Sequence, residues 1–155
     1  MTDREVLTWE RFGTAARELA TAVAVDGYRP DVILSIARGG LLVGGALSYA
    51  LDVKSCYLVN IEFYTGIDQR REEPIVLPPR LDLAEAQEAR VLVVDDVADT
   101  GHTLVRVAEL LHERVAESRT AVLYEKPRSL IRCEYVWQRT DAWIEFPWSS
   151  QPAVV

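Results

Sequence analysis

The sequence predicts an α/β protein with a central, mostly parallel sheet flanked by helices, and three observations carry that expectation. Val91 to Val94 is an unbroken run of valine and leucine, the composition of a strand covered on both faces. The run meets Asp95 and Asp96, turns through small polar residues, and continues into Leu104, Val107, Ala108, Leu111 and Val115, which share one helical face. The same order of strand, glycine-bearing turn and helix recurs at Asp31 to Leu51.

The elements follow in order. Thr8 is placed to cap a helix running to about Val25, with Trp9, Phe12, Ala16, Leu19 and Val23 on one face. Gly27 and Pro30 punctuate its end, and Asp31 to Ile36 makes a short apolar strand. Ala37-Arg38-Gly39-Gly40 then leads into a helix from Leu41 to Leu51. Lys54 to Phe63 alternates as a second strand, and the charged stretch 64–74 reads as a loop or hairpin arm. Val76 and Leu77 suggest a short return strand, which Pro78-Pro79 ends. Leu81 to Arg90 connects to the strand at Val91, a helix from Thr103 to about Arg114 follows, and Thr120 to Tyr124 is another apolar strand.

Composition narrows the function. A chain of 155 residues, 49% hydrophobic and 26% charged, is expected to form one soluble globular domain. With 17 basic and 24 acidic residues its net charge is -7, which argues against nucleic-acid or anionic-membrane partners. Cys56 and Cys133 have neither metal spacing nor a C-x-x-C pattern and read as buried free thiols in a reducing compartment. There is no charged-then-apolar leader and no apolar run of about 18 residues, so a cytoplasmic location is expected.

The chemistry concentrates at Asp95 to Thr103. In open α/β sheets, ligands bind at the carboxyl edge of the strands, where these residues fall. Backbone N–H groups of a glycine-containing loop entering a helix favour an anion such as phosphate. The adjacent carboxylates favour hydroxyls or a hard cation such as Mg²⁺. A ligand with a phosphate at one end and sugar hydroxyls plus a metal-bound pyrophosphate at the other satisfies both preferences. Arg38 and Gly39 form a second candidate anion site, although Arg-Gly-Gly alone is equally compatible with a tight turn and a solvated arginine. Neither G-x-x-x-x-G-K-[ST] nor G-x-G-x-x-G occurs.

The apolar strand, the two acids and Asp99-Thr100-Gly101-His102-Thr103 together resemble the phosphoribosyl pyrophosphate (PRPP) signature of type I phosphoribosyltransferases. Other segments extend the resemblance in the order expected of the xanthine-guanine and other 6-oxopurine members. Arg38-Gly39 resembles the pyrophosphate loop, and Gln69-Arg70 a pyrophosphate contact that a shift of one residue would transfer to Arg71. Lys126 before Pro127 resembles the lysine that donates to the purine O6. Trp143 and Ile144 resemble the base-stacking tryptophan and edge-reading residue of a C-terminal hood, expected over about 127–155. Phe146, Pro147 and Trp148 are expected to pack that hood or a subunit interface.

The resemblance implies transfer of the phosphoribosyl group from PRPP to guanine, xanthine or hypoxanthine, with Mg²⁺ as cofactor and a homodimer or homotetramer as the assembly. It implies the 5'-phosphate on Asp99, Thr100, Gly101, His102 and Thr103, the ribose hydroxyls on Asp95 and Asp96, the metal on Asp96, and Asp99 as the base that accepts the purine N7 proton. His102 itself reads as solvent-facing and not catalytic. Phe63-Tyr64 stands where relatives often have Ser-Tyr in a closing loop, and Ala37 where many have serine. Two other readings remain in view. A PRPP-sensing regulator of the same fold would need a basic nucleic-acid face, against which the net charge argues. An adenine or pyrimidine enzyme is disfavoured by Lys126 and Trp143, since an ammonium donor suits O6 and would meet a donor on adenine N6.

Overall fold

The computed structural model describes residues 3–62, 65–66, 69–70, 75–77 and 86–155. In chain order the elements are β1 (Arg4–Val6), α1 (Trp9–Val25), β2 (Val32–Ile36), α2 (Gly39–Ala50), β3 (Cys56–Glu62), β4 (Thr65–Gly66) and β5 (Gln69–Arg70). They continue with β6 (Ile75–Leu77), β7 (Arg90–Ala98), α3 (His102–Leu111), β8 (Glu117–Glu125), β9 (Tyr135–Arg139) and β10 (Trp143–Glu145). The main sheet has the order β6-β3-β2-β7-β8-β9, with five parallel strands and only β6 antiparallel, at one edge.

Alternation along the central strands explains why their sequences look uniformly apolar. Ile33, Leu92, Val94, Ala121 and Leu123 join one buried cluster with Leu19, Val23, Val43 and Leu47 from α1 and α2. Val32, Leu34, Val91, Val93 and Val122 join a second with Leu104, Val107 and Leu111 from α3. Both faces of the sheet are therefore covered, and apolar side chains dominate each side. Gly44 lets α2 approach closely: a Cβ there would lie 1.8 Å from the Ser35 hydroxyl oxygen on β2.

Local signals set the helix starts. The Thr8 side chain accepts from the Arg11 N–H at 3.1 Å and caps α1, as expected. α3 instead follows Gly101, whose φ of 85° lies in the left-handed region open to glycine.

Four departures from the expected layout matter for the site. β7 does not stop at the acids but runs through Ala98, because Asp95, Val97 and Ala98 still pair with Val122, Tyr124 and Glu125 of β8. Asp95 and Asp96 thus belong to a strand, and the loop begins at Asp99. Residues 135–139, within the expected hood, form the edge strand of the main sheet. The hood instead acquires β10, which pairs in parallel with β1, a three-residue strand too short to leave a sequence pattern. Cys56, expected to be buried, is exposed at the first position of β3, whereas Cys133 is buried. Burial pushes the Cys133 thiol up to about 12.

Phe63, Tyr64 and Arg71 lie outside the described residues. Within the expected loop, Thr65–Gly66 pairs with Gln69–Arg70 as a small hairpin. Among the described residues, no helix is long and apolar enough to cross a membrane.

Candidate functional site

The carboxyl ends of β2, β7 and β8 lie side by side in the parallel sheet and deliver three groups of residues to one edge. The first is the acid pair. Asp96 Oδ2 packs where a Gly39 Cβ would be, at 1.9 Å, and Asp95 Oδ1 lies 3.3 Å from the corresponding position on Gly40. Any side chain at Gly39 would collide with the Asp96 carboxyl. Gly39 is therefore required by the Asp96 carboxyl itself, in addition to any bound anion, whereas at Gly40 a Cβ would lie 2.7 Å from the Val94 carbonyl oxygen. Both carboxyls sit against the N-terminus of α2, where the helix dipole favours negative charge.

The acids are held from below by main chain. Asp95 Oδ1 accepts from the Asp96 N–H and Asp96 Oδ1 from the Val97 N–H, each at 2.8 Å. Burial, followed by the neighbouring Asp96 charge, raises the Asp95 carboxyl well above the usual range. Burial also raises Asp96, less strongly, and hydrogen bonds from Asp95 and the Trp148 side chain oppose that rise. Two carboxyls crowded in this way provide hard oxygen donors of the kind Mg²⁺ takes, so the residues fit that ion.

Asp96 opens into a cleft of about 440 Å³ lined by Arg38, Gly39, Leu42, Phe146, Trp148 and Ser149. Arg38 is exposed there, and the Ala37–Arg38 peptide is cis. Trp148 was expected to pack the hood or a subunit interface. It stacks on Phe146 at 4.9 Å and meets Phe12 edge-on at 5.4 Å, but its ring also reaches the acid pair.

The second group is the turn into α3. Asp99, Thr100, Gly101 and Thr103 line a pocket of about 80 Å³ together with Asp95 and Val97. Gly101 supplies no side-chain cap, which leaves the first N–H groups of the helix available to an anion. His102 is exposed as the first helical residue, in keeping with a solvent-facing role.

The third group is the base side. Lys126 follows β8 and is almost buried; its N–H donates to Ala98 O at 2.9 Å and its Nζ donates to Ala142 O. That carbonyl immediately precedes Trp143, so lysine and tryptophan are tied together. Trp143 is 67% exposed, and Ile144 is half-buried. β1 fixes both: Trp143 N–H donates to Asp3 O, and Leu7 N–H to Glu145 O, each at 3.0 Å. Beneath Lys126 the fully buried Glu125 carboxylate accepts from Arg132, Arg139 and the Cys133 N–H.

Of the expected site residues, Arg70 lies on the small hairpin and its side chain is outside what is described. One group escaped sequence reading. Arg128 donates through Nε and Nη2 to Asp99 Oδ1, the Nε bond being 2.8 Å. Its position two residues after the lysine was the available signal, but nothing in the order of residues says that this turn folds back onto Asp99.

Known proteins resemble this chain over nearly its whole length. Residues 3–153 match the family model described as a phosphoribosyl transferase domain. A xanthine-guanine phosphoribosyltransferase of Nitratidesulfovibrio vulgaris is 31% identical over 147 residues, 94% of this chain and 84% of that protein. One from Gluconobacter oxydans is 30% identical over 151 residues, covering 96% and 86% respectively. Among solved structures, a purine phosphoribosyltransferase from Pyrococcus horikoshii superposes with a TM-score of 0.83 at 35% identity, covering 99% of both chains.

Proposed function

The chain belongs to the phosphoribosyltransferase family, and from that premise we propose how its residues divide the work of the reaction. The protein transfers the 5-phosphoribosyl group of PRPP to a 6-oxopurine, giving the nucleoside 5'-monophosphate and pyrophosphate. The observation that carries the assignment of residues is the end of β7, where one strand bears the acid pair and then the turn into α3, beside Lys126 and Trp143.

In this reading the N–H groups and hydroxyls of Thr100, Gly101, His102 and Thr103 bind the 5'-phosphate in the small pocket. Asp95 and Asp96 take the ribose hydroxyls. Arg38, the N–H of Gly39, and Arg70 bind the pyrophosphate, the arginines by bidentate contact. Asp96 would hold Mg²⁺, and the ion would supply neutralisation of the leaving pyrophosphate.

On the base side, Trp143 stacks on the purine and main chain at Ile144 reads its edge. Lys126 spends one of three ammonium donors on Ala142 O, leaving two for the purine O6. As the bond to pyrophosphate breaks, positive charge grows on the ribose ring, and the nearby carboxylates stabilise it. Asp99 accepts the proton from purine N7. The protein acts in the cytoplasm as a dimer or tetramer of identical chains.

Pyrophosphate release tests the proposal when the protein is incubated with PRPP, Mg²⁺ and single bases. Turnover is expected with one or more of guanine, xanthine and hypoxanthine, and not with adenine or uracil. Binding of PRPP without turnover of any base would instead mark a PRPP-sensing regulator.

A further inference from the structure

The turn after β8 carries two groups toward the base side, and only Lys126 has been given a task. Residues 128–131 fold back onto the turn into α3: Leu130 N–H donates to Thr100 O at 2.8 Å. The Gly101 position is so close that a Cβ there would lie 2.7 Å from Ser129 Oγ and 2.9 Å from Leu130 N. Ser129 is buried, and its hydroxyl closes on Ile131 O at 2.8 Å, so the segment is anchored on both sides of its contact.

From this platform Arg128 reaches Asp99. Both its Nε and Nη2 donate to the same carboxylate oxygen, Oδ1. Oδ2 has no hydrogen-bond partner among the described residues. A carboxylate at the start of a loop rotates readily, and two donors on one oxygen fix that rotation. Lys126 stands on the same turn with its Nζ on Ala142 O. On a 6-oxopurine, O6 and N7 lie side by side along one edge. One rigid turn therefore sets the spacing between the group for O6 and the group for N7.

We propose that Arg128 is a positioning residue for proton transfer: it occupies Asp99 Oδ1 and presents Oδ2 to purine N7, in register with Lys126. This rests on the reading of Asp99 as the base. The pair is exposed, 64% for the arginine side chain and 48% for the aspartate, so its role is orientation and not support of the fold.

A double-mutant cycle separates the cases, with kcat, the KM for PRPP and for the base, and the melting temperature measured for each variant. Arg128→Ala is expected to lower kcat about 10-fold while both KM values stay within about twofold, the cost of a loosened reacting group. Arg128→Lys should recover part of that loss. In an Asp99→Asn background, Arg128→Ala should cost nothing further, because the two residues act as one unit. A rise in the KM for PRPP with unchanged kcat would overturn the proposal and make Arg128 an anion contact. A lowered melting temperature with unchanged kcat would overturn it in favour of a structural role. Full additivity with Asp99→Asn would overturn the inference alone, whereas an Asp99→Asn variant of undiminished kcat would remove the base reading beneath it.

Discussion

The phosphate side and the base side of this site are built in different ways. The phosphate side is mostly contiguous: Asp95 to Thr103 supplies both acids, the small pocket and the start of α3 from nine successive residues, against which Gly39 packs from the start of α2. The base side is assembled from three distant pieces, β1, the turn after β8, and β10, joined by main-chain bonds such as Trp143 N–H to Asp3 O. A contiguous site depends on local backbone geometry and fails abruptly when that geometry is blocked. An assembled site depends on several weak ties and loses affinity by degrees.

The largest effect should come from blocking the phosphate side. Gly39→Ala places a Cβ 1.9 Å from Asp96 Oδ2, so the carboxyl must move. A fall in kcat/KM for PRPP of about 100-fold is expected from steady-state kinetics, as for comparable misplacements. The KM for the base should change little. If both substrates suffer equally, the two sides are not separate.

A smaller effect, confined to the other side, is expected for Trp143→Ala. Loss of stacking should raise the KM for the base about 10-fold or more, while equilibrium binding of PRPP is retained. The smallest is expected for Arg4→Ala. Its ion pair with Glu145 spans β1 and β10 at 3.3 Å but is 65% exposed on the arginine, and such pairs contribute about 0 to 1 kcal/mol. A change in base KM below about twofold is the expected outcome; a much larger one would mean that β1 and not β10 sets the tryptophan.

The same division governs what could be read in advance. The parallel sheet and the Asp95 to Thr103 turn were legible because hydrophobic run, acids and glycine follow one another along the chain. Even there the strand end was misjudged: nothing local shows that Val97 and Ala98 keep pairing with β8. Cys56 was misassigned because an apolar neighbourhood does not say which strand end faces solvent. Lys126 and Trp143 were recognised through resemblance, but their tie through Ala142 O is a tertiary fact. β1, the contact of Arg128 with Asp99 and the approach of Trp148 to Asp96 could not be read from the order of residues, since each depends on segments separated by 29 to 141 residues meeting in space.

The role of Asp99 is the claim on which the chemistry rests, and it is tested by measuring turnover and equilibrium PRPP binding side by side for Asp99→Asn. The substitution keeps the shape of the side chain and removes its capacity to accept a proton. Loss of a general base costs about 100-fold or more in kcat, and PRPP affinity is expected to stay within about threefold, within the ordinary variation of a retained contact. If PRPP affinity instead collapses in proportion to kcat, Asp99 is a ligand of the phosphoribosyl group and not the base.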